Sequence, residues 1–237
     1  MPSTSETGHA INISNFKLLI DYCASFGAKY QPSNAELDLA TMNTQWTAAD
    51  AAHATLTTAL MTAKTPLAER KTLFAPVNKL VTKTLSNYES TNADKQLKSN
   101  AKTIDDKIRG ADKVKKEKNP NDVSVSHQSF VNRQDAFQQL VTLYGSDSKY
   151  APNEVELKVV TLQSLADDMK KLNNNIGTII APVKNAQIKR NDLLYKVDSG
   201  MVDVAKLVKD YVQSVFGASA AESKLVKKLK FTKPNKK

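Results

Sequence analysis

Two stretches of the chain, KYQPSNAELDLATM at 29–42 and KYAPNEVELKVVTL at 149–162, carry nearly the same text 120 positions apart. Lys29, Tyr30, Pro32, Glu36, Leu37 and Thr41 match Lys149, Tyr150, Pro152, Glu156, Leu157 and Thr161. The offset still holds downstream, where Arg70, Leu73 and Val77 fall on Arg190, Leu193 and Val197. Beyond that the second copy gains a short insertion, and KLVTKTL (79–85) matches KLVKDYV (206–212). An ungapped register over such a span reads as one structural unit written twice, and any fold has to accommodate both copies.

Each copy reads as four helices. The first is short and closes on Gly27 or Gly145, residues suited to the left-handed position after a helix. A proline-containing turn follows, with Ser33–Asn34 or Asn153 as its capping residues. The second helix is long. In copy one Leu39, Met42, Trp46, Ala49, His53, Leu56, Leu60, Ala63, Leu67, Phe74 and Val77 keep a 3–4 spacing. In copy two Val155, Val159, Leu162, Leu165, Met169, Leu172, Ile176, Ile180 and Val183 do the same. A sustained heptad stripe of this kind packs lengthwise on another helix. Unbroken, about 40 residues would make a rod of about 60 Å. Pro66 aligns with Ala186 and Pro182 with Thr62, so neither proline is required by the unit, and both read as kinks. Pro76 and Asp198-Ser199-Gly200 read as the true breaks before a third helix at 77–90 or 201–216. A short basic fourth helix follows near 97–109 or 220–230.

With 237 residues the chain can bury a sizeable core, and at 41% hydrophobic content it is not a disordered one. Only 7 Gly and 8 Pro are present, too few for the turns of an all-β fold. The expectation is therefore an all-α protein of two homologous, elongated helical-bundle units in tandem, each with one long helix, related by a pseudo-twofold. Its parts are a mobile N-terminus (1–13), repeat unit 1 (14–110), a charged linker (111–129), repeat unit 2 (130–231) and a basic tail (232–237). Half of such a chain would hold an incomplete core, and the long helices of the two copies are expected to pair. The single cysteine, Cys23, excludes an internal disulfide framework or a thiolate metal cluster, and reads as a small buried hydrophobe. MPSTSETGHAINISN has neither a basic start nor an apolar stretch, and no run approaches a membrane span. The expected location is cytoplasmic.

The phrases KYAPNEVELKV, LLYKVDSGMVDVAKLVKDYVQSVFGAS and KLVKKLKFTK resemble an uncharacterised tandem-repeat helical protein family of Bacteroidetes, over nearly the whole chain. The resemblance implies a helical two-copy layout and a bacterial origin. It implies no activity.

Net charge is +10, and its placement is uneven. Residues 95–118 hold nine Lys and Arg against four Asp and Glu, and residues 223–237 hold seven Lys against none, while the remainder is close to neutral. The candidate anion-binding residues are Lys107, Arg109, Lys113, Lys115, Lys116 and Lys118 at the end of copy one. At the end of copy two they are Lys224, Lys227, Lys228, Lys230 and Lys233. Nucleic-acid phosphates are the obvious polyanion; a lysine-rich, solubilising end is the alternative. With Arg109 the only arginine there, backbone contact is favoured over base reading. With Phe231 the only aromatic, stacking of single strands is not supported.

No catalytic constellation is legible. His9 falls in the N-terminus, His127 in the linker, and His53 on the heptad stripe opposite Asn173 of copy two, where a hydrogen-bonded structural role is expected. No second ligand shares the helix of His53 at metal spacing. Asp105–Asp106 and Asp167–Asp168 are adjacent on helices, diverge by about 100°, and read as solvated surface. Glu36 and Glu156 sit where a carboxylate favours a helix N-terminus. Tyr30 and Tyr150 read as staples of the turn onto the long helix. Phosphate-loop, dinucleotide-loop and nucleophile-elbow motifs are absent. The sequence thus points to a non-enzymatic helical scaffold or interaction protein, without metal or cofactor, for an unknown protein partner. The alternative is non-specific binding of nucleic acid. A helical membrane-active protein, suggested only by AADAAHATLTTALMTA (48–63), comes third.

Overall fold

A computed structural model describes residues 4–111 and 128–234, the side chains of residues 4–7 excepted. Among the described residues the secondary structure is entirely helical: α1 (Thr4–Ser25), α2 (Leu39–Phe74), α3 (Val77–Glu89), α4 (Lys95–Arg109), α5 (Phe130–Ser146), α6 (Val159–Asn174), α7 (Ile176–Tyr195), α8 (Met201–Phe216) and α9 (Ala221–Lys227). Short 3-10 turns at Ala35–Leu37 and Val155–Leu157 precede α2 and α6. Most of the expected linker lies outside the described residues.

The repeated turn is built the same way in both copies. Tyr30 is buried, and its hydroxyl donates to the Leu37 carbonyl at 2.8 Å; Tyr150 is buried, and its hydroxyl donates to the Leu157 carbonyl at 2.8 Å. Each phenol satisfies a carbonyl that the chain reversal leaves without a helical partner. The capping differs from expectation. Asn34 accepts from Glu36 N within the 3-10 turn, and α2 starts later, where the Asp38 carboxylate accepts from Ala40 N at 3.0 Å. Gly27, with φ +59°, occupies the left-handed region just beyond α1. Gly145 does not play that part: α5 runs through it to Ser146.

The long helix behaves differently in the two copies. Helix α2 passes Pro66 without interruption over 36 residues. In copy two the corresponding stretch divides at Asn175 into α6 and α7, and Pro182 lies inside α7. Val155, expected on the buried stripe, is 68% exposed because it belongs to the 3-10 turn and not to the helix. The N-terminus also differs from expectation. Residues expected to be mobile form the start of α1, and His9, Asn12 and Ile13 are buried. His9, Asn12, Ile13, Phe16, Leu19, Ile20 and Cys23 continue a 3–4 spacing through the helix, so the apolar stripe of α1 extends further toward the N-terminus than its aliphatic residues suggest.

The chain forms two compact units that do not follow the two sequence copies. The first takes residues 1–62 and 180–237, the second residues 63–179. In the first unit Phe16, Leu19, Ile20 and Cys23 of α1 and Met42 and Ala49 of α2 share a core with Leu194 of α7, Met201, Val204, Ala205, Val208 and Val212 of α8, and Val226 and Leu229 at α9. In the second unit Phe74, Val77, Val81, Tyr88, Ala101 and Ile108 share a core with Phe137, Leu140, Val141, Tyr144, Leu162 and Met169. Tyr144 and Tyr150 stack at 4.1 Å between ring centroids, and Tyr88 meets both edge-on. Each core therefore draws on both copies. The closest helix pairs are α8 with α9 and with α1 in the first unit, and α4 with α5, α5 with α6 and α3 with α4 in the second. Pairing of α2 with α6 or α7, the long helices of the two copies, is not among them.

Separate expression of residues 1–129 and 130–237 should give two weakly helical, aggregation-prone fragments, each lacking half of both cores. Mixing them should restore a cooperative thermal transition by circular dichroism. A monomeric, cooperatively melting 130–237 fragment would contradict this. At the turn before α8, a Cβ on Gly200 would lie 2.6 Å from the Lys196 backbone N and O. Gly200→Ala should accordingly cost about 1–3 kcal/mol of stability in denaturant melts, as overpacking against rigid backbone does.

Candidate functional site

The C-terminal basic segment is held by apolar anchors at one side. Val226 and Leu229 are buried in the first unit's core, and Ser223 is buried beside them. With those positions inward, Lys224 and Lys227 of α9 and its C-cap residue Lys228, spaced i, i+3 and i+4, share one outward face, and all three are exposed. Lys230 is exposed as well. None of these four pairs with a carboxylate among the described residues.

The segment after α9 is tied down by polar bonds. Thr232 N donates to the Asn12 side-chain carbonyl at 3.0 Å, and Asn12 Nδ2 donates to Thr232 O at 2.7 Å. Asn15 Nδ2 donates to Lys230 O at 2.7 Å. Lys209 Nζ donates to Leu229 O at 2.6 Å and lies 4.7 Å from the Phe231 ring centroid. Burial holds the Lys209 ammonium below its ordinary pKa, and neighbouring Lys230 adds to that shift. Lys233, expected to be free for anions, instead donates to Asp203 Oδ2 at 2.8 Å and holds that carboxylate below its ordinary range.

The basic residues of copy one belong to the second unit, and those described there are less available. Arg109 is committed to structure: its Nε donates to Asp105 Oδ2 at 2.6 Å, and its Nη2 donates to Asp106 Oδ1 at 2.9 Å. Asp105, expected on a solvated surface, is fully buried. Burial pushes its carboxyl up, against the pull of Arg109. Lys107 is half-buried, and its carbonyl accepts from Gln128 Nε2 at 3.1 Å. Lys113, Lys115, Lys116 and Lys118 lie outside the described residues, as does His127. The structure thus brings together Lys224, Lys227, Lys228 and Lys230, and separates Arg109 and Lys233 from the anion-binding set.

A second polar cluster lies beneath the C-terminal segment. His9 Nδ1 and the Tyr195 hydroxyl are 2.5 Å apart, and Asn12 Nδ2 donates to the same hydroxyl at 3.3 Å. The hydroxyl and the imidazole share one hydrogen bond, whose direction is set by the ring tautomer. Arg190, fully enclosed in α7, bonds Asn191 Oδ1 through Nε and Nη2 at 3.2 and 2.9 Å. Desolvation, then the Arg190 charge, then His53 push the His9 pKa down to about 4. Sequence reasoning missed this cluster by taking 1–13 as mobile; the 3–4 spacing from His9 to Cys23 was the signal for it.

A surface cavity of about 420 Å³ opens between α1 and α2 of the first unit, lined by Lys17, Asp21, Trp46, Asp50 and His53 over Ala10 and Ile13. Among the described residues no group of His, Cys, Asp and Glu is placed to hold a metal ion, and no helix is long and apolar enough to cross a membrane. Cys23 is buried, and desolvation pushes its thiol up to about 12.

The His9 environment makes stability pH-dependent. An unfolded His9 takes up a proton below about its ordinary value of 6.5, whereas the buried ring resists it down to about 4. The unfolded state binds more protons in that window, so stability should fall as pH drops from 6.5 to 4 and lose no more from this group below it. His9→Gln should flatten the melting temperature over that window relative to the natural protein. Parallel curves for the two proteins would show that His9 is not the group responsible.

No protein-family model, curated protein or solved structure matches the chain.

Proposed function

We propose that this chain is a non-enzymatic helical interaction protein that docks on a polyanion through the outward face of α9. The observation that carries the reading is the exposure of Lys224, Lys227, Lys228 and Lys230 without a carboxylate partner among the described residues, on a segment whose apolar residues anchor it. Ammonium groups act as point charges that suit phosphate oxygens, and no free guanidinium stands beside them to read base edges in two-pronged fashion. The binding is therefore directed at a phosphate backbone, of which duplex nucleic acid is the plainest example, and it is independent of sequence.

We read the chain, further, as a duplicated unit whose copies have exchanged their ends. The first helix and turn of each copy complete their core with the last helices of the other, an intramolecular counterpart of a swapped dimer. What supports this reading is the composition of the two cores and the recurrence of the Tyr30–Leu37 bond as Tyr150–Leu157.

Fluorescence anisotropy of a labelled DNA duplex tests the docking reading. Four neutralised phosphates predict a log–log salt slope of about −3 to −4, a loss of about 10²-fold in affinity between about 50 and 200 mM salt. Replacing Lys224, Lys227 and Lys228 together by Gln should bring the slope to about −1. Absence of binding at the lowest salt would leave the lysines as a solubilising face and return the reading to a scaffold for a protein partner.

A further inference from the structure

The cavity between α1 and α2 is lined by residues whose polar groups differ from those at the matching positions of copy two. On α2, Trp46, Asp50 and His53 stand at i, i+4 and i+7 and face one way; on α1, Ser14, Lys17 and Asp21 line the opposite wall. At the repeat offset, Trp46, Asp50 and His53 correspond to Ala166, Lys170 and Asn173 of copy two. There Ala166 is fully buried, and Asn173 Nδ2 donates to the Phe130 carbonyl at 3.1 Å. Trp46 packs partly against the first unit's core, whereas the Asp50 carboxylate is exposed and the His53 imidazole replaces a hydrogen-bonded Asn.

Their chemistry selects a cation. Lys17 Nζ lies 5.5 Å from the centroid of the Trp46 ring and is ion-paired with Asp21, so the chain's own ammonium rests on the indole face. An indole face attracts a cation through the ring quadrupole. Asp50 is exposed and has no ion-pair partner among the described residues. His53 Nδ1 is buried without a hydrogen-bond partner there, although the residue as a whole is only half-buried. The lining thus carries two carboxylates against one ammonium, on a chain whose net charge is +10. A volume of about 420 Å³ lies within the size range of small-ligand sites.

We propose that this cavity binds an organic cation bearing a guanidinium or primary ammonium group, and that Lys17 is a resident cation which the ligand displaces. The incoming group stacks on Trp46, donates to the Asp50 carboxylate and donates to His53 Nδ1, the buried ring nitrogen without a hydrogen-bond partner among the described residues. Lys17, still paired with Asp21, swings toward solvent. A guanidinium fits better than a simple ammonium, because its plane stacks on the indole while its edge donates to carboxylate and imidazole together.

Trp46 is the only tryptophan of the chain, so its emission reports on this cavity alone. The full-length protein is titrated with agmatine, with a blocked Gly-Arg-Gly peptide, and with butylurea, an uncharged urea counterpart of the guanidinium end. The expected result is a saturable change in Trp46 emission with agmatine at a Kd below about 1 mM, and none with the urea. Asp50→Asn should weaken agmatine at least about tenfold, and Lys17→Gln, which removes the competing cation, should tighten it severalfold. Both substitutions are away from the core, and circular dichroism verifies the fold. Binding of agmatine alone assigns the site to free small cations, and binding of the arginine peptide as well assigns it to cationic side chains of a partner. A flat response in both the natural protein and Lys17→Gln, equal affinity in Asp50→Asn, or equal binding of the urea overturns the proposal.

Discussion

The burial of α8 against α1 is the contact on which the first unit depends. Met201, Val204, Ala205, Val208 and Val212 present one apolar face, spaced three and four apart, and Phe16, Leu19, Ile20 and Cys23 present its counterpart nearly two hundred residues earlier. The cost of bringing distant segments together grows only logarithmically with the intervening length, so a long connection is tolerated if the contact buries enough. Here the intervening length is used: residues 63–179 form the second unit by themselves. Contiguous in sequence, that unit can assemble through shorter closures than the first, whose two parts lie on either side of it.

The polar groups inside the first unit follow from that arrangement. Once α9 and the segment after it lie along α1, the Thr232 backbone loses water on one side, and Asn12 replaces it with two bonds. His9, one turn earlier, is covered by the same packing and meets the Tyr195 hydroxyl. The ring is kept neutral because burial penalises its charged form and Arg190 opposes a second positive charge nearby. The C-terminal segment thus has a fixed place for physical reasons independent of its lysines, and this fixation leaves Lys224, Lys227, Lys228 and Lys230 displayed on one surface.

Several features were legible before any coordinates. The helical class, the bounds of the third helices near 77–90 and 201–216, the turn staples Tyr30 and Tyr150 and the buried state of Cys23 all follow from local pattern. Local pattern also misled in recognisable ways. Arg109 and Lys233 counted as free charges because a composition count does not register the carboxylates at Asp105, Asp106 and Asp203 that the fold brings to them. Asp105 read as surface because adjacency to Asp106 was weighed and the direction of its own side chain was not. Pro182 drew attention as the place where the long helix of copy two would bend, yet the interruption came at Asn175, and α7 continues through Pro182.

By itself the sequence determined that the segments are helical and that lysine is concentrated in two places, because periodicity and composition are properties of residues a few positions apart. Only the tertiary structure decided which segment meets which. The repeat suggested cores of 14–110 and 130–231, whereas one compact unit joins the beginning of the chain to its end and the other takes residues 63–179. The physical reason is that the two similar stretches of sequence carry similar apolar patterns, so partners from within a stretch and from across stretches satisfy local pattern equally well. Side-chain packing in three dimensions makes that choice, and a one-dimensional pattern does not contain it.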